Sequence, residues 1–405
     1  MYSILKGKNT GLRNDEIGFA QKLIQTPSTS LEESAIADVV ENEMKKIGYD
    51  RVFRDESGNV VGILFGRESA PTVLLNSHMD TVLPEGPEGW SFPPYAGQID
   101  GDILYGEGAA DCKGGLAAQV YTGALLKRSL LPLRGNLVVA ATVAEENGAS
   151  VGVRGLLDKT LPNMGLKPDY AILGEPTGLG LYYGHDGWVE VDIHIESYNP
   201  ALLKDAERTI VRDCEVLAGS SGGRQIERLE PVPVGAASSS QRDLRLLHRV
   251  AEGVNVGTAV EQIEHEVQLA AHPNPSVNVA VRVHEEPQRL QNGRMRTVRR
   301  ISNAWSTDPF SRLIERARQS LAAAGCEVRP GKWTLGRLGM GTAGGVLVND
   351  FGIPTIGYGP GSEEKAHAVD ESVRCSDLSQ TVYGTASMVH ALIGVPVCGW
   401  TADEI

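Results

Sequence analysis

Between Val73 and Asp80 a short apolar run passes through Asn76-Ser77 and ends in His78-Met79-Asp80. A run this apolar reads as a strand buried in a sheet, and in an extended backbone residues two apart point to the same side. The His78 imidazole and the Asp80 carboxylate therefore emerge together where the strand ends. That pairing suits a metal-ligating histidine whose second nitrogen is held by a carboxylate, and equally a satisfied histidine at a strand end. The arrangement recurs along the chain. Leu137 to Val143 is a continuous apolar run of the kind buried on both faces, followed by Glu145-Glu146, and Tyr170 to Leu173 leads into Gly174-Glu175-Pro176-Thr177. Adjacent carboxylates repel and raise one pKa, and a cation relieves the repulsion. Strands that end in charge and alternate with helices imply a mostly parallel α/β sheet with ligands beyond its carboxyl ends.

The helices are marked by apolar spacing. Asn14 to Gln25 reads as a helix that stops before Pro27, and Ile36, Val40, Met44 and Ile47 mark one face of a second that ends at Gly48. Ser30 followed by Glu33 reads as its capping box. Gly106 to Gly115 is dense in glycine and opens a helix through Leu126, so Asp111 stands at a loop before a helix. There a carboxylate either complements the helix dipole or reaches a metal. Cys112 beside it is a small buried residue or a thiol that makes the site sensitive. Trp90 to Tyr95 reads as a loop by its prolines.

The middle of the chain changes character. Trp188 to Ile195, Asp243 to Val250 and Ser276 to Val283 read as strands, with helices from about Lys204 to Leu217 and from Thr258 to Leu269 and a Gly/Ser-rich turn at Gly219 to Gly223. Half-exposed strands among helices indicate a small α+β domain whose sheet is covered on one side. From Asp308 the first character returns: helix Phe310 to Gly325, a glycine-rich stretch Gly336 to Gly345, strand Ile353 to Tyr358, a loop to Asp370 carrying His367, and a closing helix from Ser376. The expected layout is a mostly parallel α/β domain with helices on both faces, made of residues 1–187 and 301–405, interrupted by a smaller α+β lid or dimerisation domain at 188–300.

A chain of 405 residues suits two domains, and 41% hydrophobic with 22% charged residues is ordinary globular composition. A formal net charge of -13 argues against nucleic acid and anionic membrane as partners. No run is long enough to span a bilayer and no apolar stretch follows the basic residues of the N-terminus, so a cytoplasmic location is the default expectation. Five scattered cysteines without a CxxC pair fit a reducing compartment.

Taken together, His78-x-Asp80, Gly106-x-Gly108-x-x-Asp111-x-Lys113-Gly114, Glu145-Glu146, Gly174-Glu175-Pro176-Thr177 and Ala366-His367-x-x-Asp370-Glu371 resemble the M20 family of dizinc metallopeptidases and amidohydrolases, which includes acetylornithine deacetylase, succinyl-diaminopimelate desuccinylase and carboxypeptidase G2. The resemblance implies that Asp111 bridges two divalent cations, with His78 and Glu175 completing one and Glu146 and His367 the other. It implies Asp80 as the partner that fixes the His78 tautomer and Glu145 as general base. Imidazole and carboxylate donors suit Zn²⁺, with Co²⁺ or Mn²⁺ as replacements. The reaction implied is hydrolysis of the amide of an N-acyl amino acid. Alternatives are a metallo-exopeptidase acting on a short peptide at the same site, and a catalytically silent metal-containing protein that binds a small ligand.

Departures from the family pattern bear on the substrate. Where the inserted domain of the family carries a histidine that steadies the oxyanion, this chain reads Glu196-Ser197-Tyr198-Asn199-Pro200, and Asn199 offers a hydrogen bond instead. Arg245 resembles an arginine that holds a substrate carboxylate, or is an exposed strand arginine. Thr342 resembles a substrate-loop position. The resemblance also implies a homodimer formed through the inserted domain, where strands such as Trp188 to Ile195 and Ser276 to Val283 offer exposed edges.

Overall fold

The computed structural model describes residues 1–84, 86–147, 150–221, 224–229, 240–271, 276–289, 293, 295–334 and 340–396. Its main sheet has eight strands in the order Arg51–Arg54, Val60–Leu64, Asn136–Thr142, Thr72–His78, Tyr170–Leu173, Thr355–Gly357, Leu181–Tyr182 and Pro330–Gly331. From Asn136–Thr142 across to Thr355–Gly357 the pairings are parallel, and antiparallel strands flank this core. Side chains alternate between two apolar layers, as the pleat requires. Val73, Leu75, Val139 and Ile172 pack with the helices Arg13–Ile24, Lys113–Ser129, Arg312–Ala324 and Cys375–Ile393. Leu74, Val138, Ala171 and Leu173 pack on the other face with Leu156, Leu161, Leu347 and two indoles, Trp305 and Trp333. Helices thus cover both faces, and the expected fold class is the observed one.

A second, antiparallel sheet runs Arg224–Leu229, Gln241–Val250, Gly187–Glu196 and Asn278–Val283, with Ile301–Ser302 also on Gly187–Glu196. Val189, Val191, Ile193 and Ile195 point to a core shared with the helices Pro200–Ser221 and Val256–Ala270, through Leu203, Ile210, Ala259 and Ile263. The other face carries Glu190, Asp192 and His194 and, among the described residues, packs on no apolar cluster of this kind. An antiparallel pair, His185 opposite Trp305, stands immediately before and after this sheet in sequence.

Three expectations change. The Ser30–Glu33 capping box does not form: the helix Ser34–Ile47 has Glu33 at its N-cap without a side-chain capping bond. Ser30 and Glu33 are instead drawn to the strand ends, as described below. Trp188 to Ile195 is a central strand with partners on both sides, so it offers no free edge; Asn278–Val283 ends the described order and keeps one. The turn expected at Gly219 to Gly223 is helical through Ser221, and 222–223, like 336–339 of the glycine-rich stretch, lie outside the described residues. An antiparallel hairpin, Glu285–Arg289 with Met295–Arg299, has no forerunner in the sequence reading. No helix among the described residues is long and apolar enough to cross a membrane.

Glu16 sits under the closing helix with no exposed surface and accepts from Ser379 Oγ at 3.1 Å. Burial pushes its pKa up to about 8, against smaller opposing pulls from Ser379 and Arg13. An acid with a raised folded pKa costs no stability below its unfolded value, and the cost grows as pH climbs toward the folded value. Glu16→Gln is therefore expected to melt higher than the parent by about 2 °C or more at pH 8, with the gap closing toward pH 5, in thermal scans across that range.

Candidate metal centre

The four parallel strands all deliver their chemistry at one end of the sheet. His78 is the last residue of its strand, Glu145 and Glu146 follow Asn136–Thr142, Glu175 follows Tyr170–Leu173, and His367 lies in the loop after Thr355–Gly357. Asp111 arrives from the glycine-rich turn before the helix Lys113–Ser129. Gly108 there has φ +81, and a Cβ on it would press on Thr81 and Lys113 at 2.6 and 3.0 Å, so the turn admits only glycine.

Asp111 stands between two donor sets. Its Oδ1 is 3.1 Å from His78 Nε2, which is itself 3.7 Å from Glu175 Oε2. Its Oδ2 is 3.6 Å from His367 Nε2, which lies 2.9 Å from Glu146 Oε1. The ligand atoms of His78, Asp111, Cys112 and Glu175 all fall within 4.8 Å of one another, and so do those of Asp111, Glu146 and His367. Among the described residues, buried acids outnumber buried cations around these nitrogen and oxygen donors. Asp80, Glu107, Asp111, Glu145, Glu175 and Glu371 are buried, and the one lysine among them, Lys113, donates to Thr26 O at 2.9 Å. The donor set fits a pair of divalent cations sharing the Asp111 carboxylate.

The electrostatics carry the same imbalance. Burial raises Glu145 well above the usual carboxylate range, and Glu175, Glu146 and Asp80 push the same way against His78. Glu175 is pushed up to about 7 by burial, with His78 opposing. Asp111 and Asp80 stay below their ordinary values against their burial, Asp111 through the two imidazoles of His78 and His367, Asp80 through His78 and the hydrogen bonds from Ser30 and Glu145 N. Burial draws Lys113 down to about 8 although Glu371, Glu107 and Asp80 favour its charge.

Support for this cluster comes from residues whose roles the sequence did not disclose. The His78 Nδ1–H donates to the main-chain oxygen of Asp80 at 2.8 Å, and the Asp80 carboxylate is 3.5 Å away. A carbonyl can only accept, so this bond leaves Nε2 facing Asp111 and Glu175. The Asp80 carboxylate is occupied elsewhere: it accepts from Glu145 N at 3.1 Å, Glu146 N at 3.0 Å and Ser30 Oγ at 2.7 Å. Glu33 accepts from Ala144 N at 2.9 Å, where the backbone has φ +54. Ser30, Glu33 and Asp80 thus fix the turn that carries both glutamates. Glu371 does the same for Asp111, accepting from Gly108 N, Ala110 N and Asp111 N at 2.8 Å each. Gln288 of the hairpin accepts from Asn147 Nδ2 at 2.8 Å, and Arg300, just after it, bonds the Asn147 oxygen.

The expected substrate-side residues are not gathered with this cluster. Arg245 Nε donates to Asp192 at 2.9 Å and lies 3.1 Å from Glu190, on the face of the second sheet that carries both acids. Asn199 is exposed, and its Oδ1 accepts from Ala201 N at 3.0 Å, capping the helix that Pro200 begins. Thr342 is buried; its hydroxyl accepts from Trp305 Nε1 at 3.0 Å and faces His185 Nε2 at 2.9 Å. Burial holds His185 neutral with its pKa down to about 4, so the Thr342 hydroxyl donates to it.

A model of peptidase family M20/M25/M40 matches residues 74–392. The uncharacterized protein YgeY of Escherichia coli is 25% identical over 425 aligned residues, covering 100% of this chain and 98% of that protein. A succinyl-diaminopimelate desuccinylase of Methylobacterium radiotolerans is 35% identical over 167 residues, 40% of this chain and 42% of its own. Among solved structures, the dipeptidase Dug1p of Saccharomyces cerevisiae superposes with a TM-score of 0.71 at 14% identity, covering 96% of this chain and 98% of that one.

Glu371→Ala removes the common acceptor of the three amides that present Asp111. Equilibrium dialysis against Zn²⁺ is expected to show about 10- to 100-fold weaker binding, the usual size for losing an outer partner of a ligand, with both donor sets affected because each contains one Asp111 oxygen.

Proposed function

The chain belongs to peptidase family M20/M25/M40 and is a metal-dependent hydrolase, and we propose that it hydrolyses the amide bond of an N-acyl amino acid. The observation that carries this reading is Asp111, with one carboxylate oxygen toward His78 and Glu175 and the other toward Glu146 and His367. In the proposal those five residues hold two divalent cations, Zn²⁺ first and Co²⁺ or Mn²⁺ as replacements. When bound, such a pair polarises an amide carbonyl and lowers the pKa of a water molecule toward neutrality.

Glu145 is the proposed general base. Its carboxylate is buried beside the donor cluster, and its raised proton affinity lets it take a proton from water and deliver it to the leaving amine. Asp80 is the proposed positioning acid, since its carboxylate holds the main chain of Glu145 and Glu146. On the substrate side we propose that Arg245 receives a carboxylate when Asp192 yields it, that Asn199 turns its amide to the oxyanion, and that Thr342 shapes the loop beside the substrate. Residues 188–300 act as the lid in this reading, and a homodimer forms through them, the Asn278–Val283 edge being open to a partner strand. The free, buried thiols of Cys112, Cys326 and Cys375 suit a cytoplasmic setting.

A short peptide differs from an N-acyl amino acid only in the amine beyond its acyl carbon, and the resemblance to a dipeptidase of known structure favours exopeptidase activity as the second reading. Metal-stripped protein restored with Zn²⁺, Co²⁺ or Mn²⁺ should release free amine from N-acetyl or N-succinyl amino acids in preference to dipeptides. Glu145→Gln should lower kcat by about 10²- to 10⁴-fold. Preference for dipeptides would favour the second reading; two tightly bound cations with no cleavage of either class would leave a silent ligand-binding protein.

A further inference from the structure

Cys112 has no exposed surface, yet it belongs to none of the three apolar clusters of the fold, whereas the buried Cys326 and Cys375 both lie within one. A structural cysteine is kept inert by apolar neighbours. Cys112 is surrounded instead by donors: its sulfur falls in the group formed with His78, Asp111 and Glu175, all ligand atoms within 4.8 Å of one another. Metal to sulfur and metal to nitrogen or oxygen bonds of about 2.3 and 2.0 Å bring such donors to within about 4.3 Å of each other, so a cation among these four draws the widest pairs inward by about half an ångström.

We infer that Cys112 is a fourth protein ligand of the cation held by His78, Asp111 and Glu175. The inference rests on the two-cation reading above and adds a sulfur donor to it. On binding, the S–H bond breaks, an Sγ–metal bond forms and the proton leaves to solvent. The two positions then differ in kind. The one at Cys112 has N, O and S donors from four residues and selects a thiophilic cation such as Zn²⁺ or Co²⁺ over Mn²⁺ or Mg²⁺. The one at Glu146 and His367 has N and O donors from three residues, and keeps the place open to substrate.

Cobalt makes the sulfur visible. Metal-stripped protein titrated with Co²⁺ is expected to develop a near-ultraviolet thiolate-to-cobalt charge-transfer band that saturates at one equivalent per chain. Cys112→Ser should bind two Co²⁺ without the band, the tighter of them weakened about tenfold or more, while Cys326→Ser and Cys375→Ser keep it. Two bound Co²⁺ with no band in the parent, or a band that survives in Cys112→Ser, would overturn the inference and leave the two-cation reading standing. Binding of no Co²⁺ at all would overturn both. Should Cys112→Ser not fold, X-ray absorption at the zinc edge of the parent reads the same bond: a sulfur scatterer at about 2.3 Å supports it, and a shell of nitrogen and oxygen alone refutes it.

Discussion

Negative charge buried at the carboxyl ends of parallel strands is the constraint around which this structure is arranged. Asp80, Asp111, Glu145, Glu175 and Glu371 share one desolvated volume with Lys113, His78 and His367. Taking several carboxylates out of water is costly unless opposite charge and hydrogen-bond donors replace the solvent. The fold supplies the donors as main-chain amides. Asp80 takes those of Glu145 and Glu146, Glu371 takes three from the glycine-rich turn, and Glu33 takes Ala144 N. Among the described residues the fold does not supply as much positive charge, a shortfall that bound metal ions would fill.

Much of this was legible in the sequence because strand ends are. An apolar run that stops at a charged residue states both where the strand is and which end is polar, so His78, Glu145, Glu146 and Glu175 could be read from position alone. Residues that act across the chain could not. Ser30 and Glu33 have the spacing of a capping box, and the same hydroxyl and carboxylate serve partners at Asp80 and Ala144, 50 and 111 positions away. Local propensity yields here because the strand-end amides are buried and have no other acceptor, whereas the helix start at Ser34 is near solvent. The hairpin Glu285–Arg299 was missed for a related reason: its short strands are mostly polar, and contacts distant in sequence give it a place, Gln288 with Asn147 and Val298 in the apolar cluster of the main sheet.

Substrate-side residues were the least legible. Arg245 and Thr342 were matched by likeness of motif, yet each is committed in this structure to neighbours that motif reading does not see, Asp192 and Glu190 for the one, His185 and Trp305 for the other. Metal donors are fixed by a chemistry that tolerates few alternatives. Recognition of an acyl group or a side chain is spread over many weak contacts, and these vary without changing the pattern of the chain.

His185 and Trp305 face each other in one antiparallel pair, which brackets the stretch from Gly187 to Ser302 in sequence. Since the two ends of that segment already meet, closing it adds nothing to the entropy of ordering the larger sheet. The segment is, in topological terms, a cassette. A different module with equally close termini could occupy the same doorway without shifting the register of the strands that end at His78, Glu145 and Glu175.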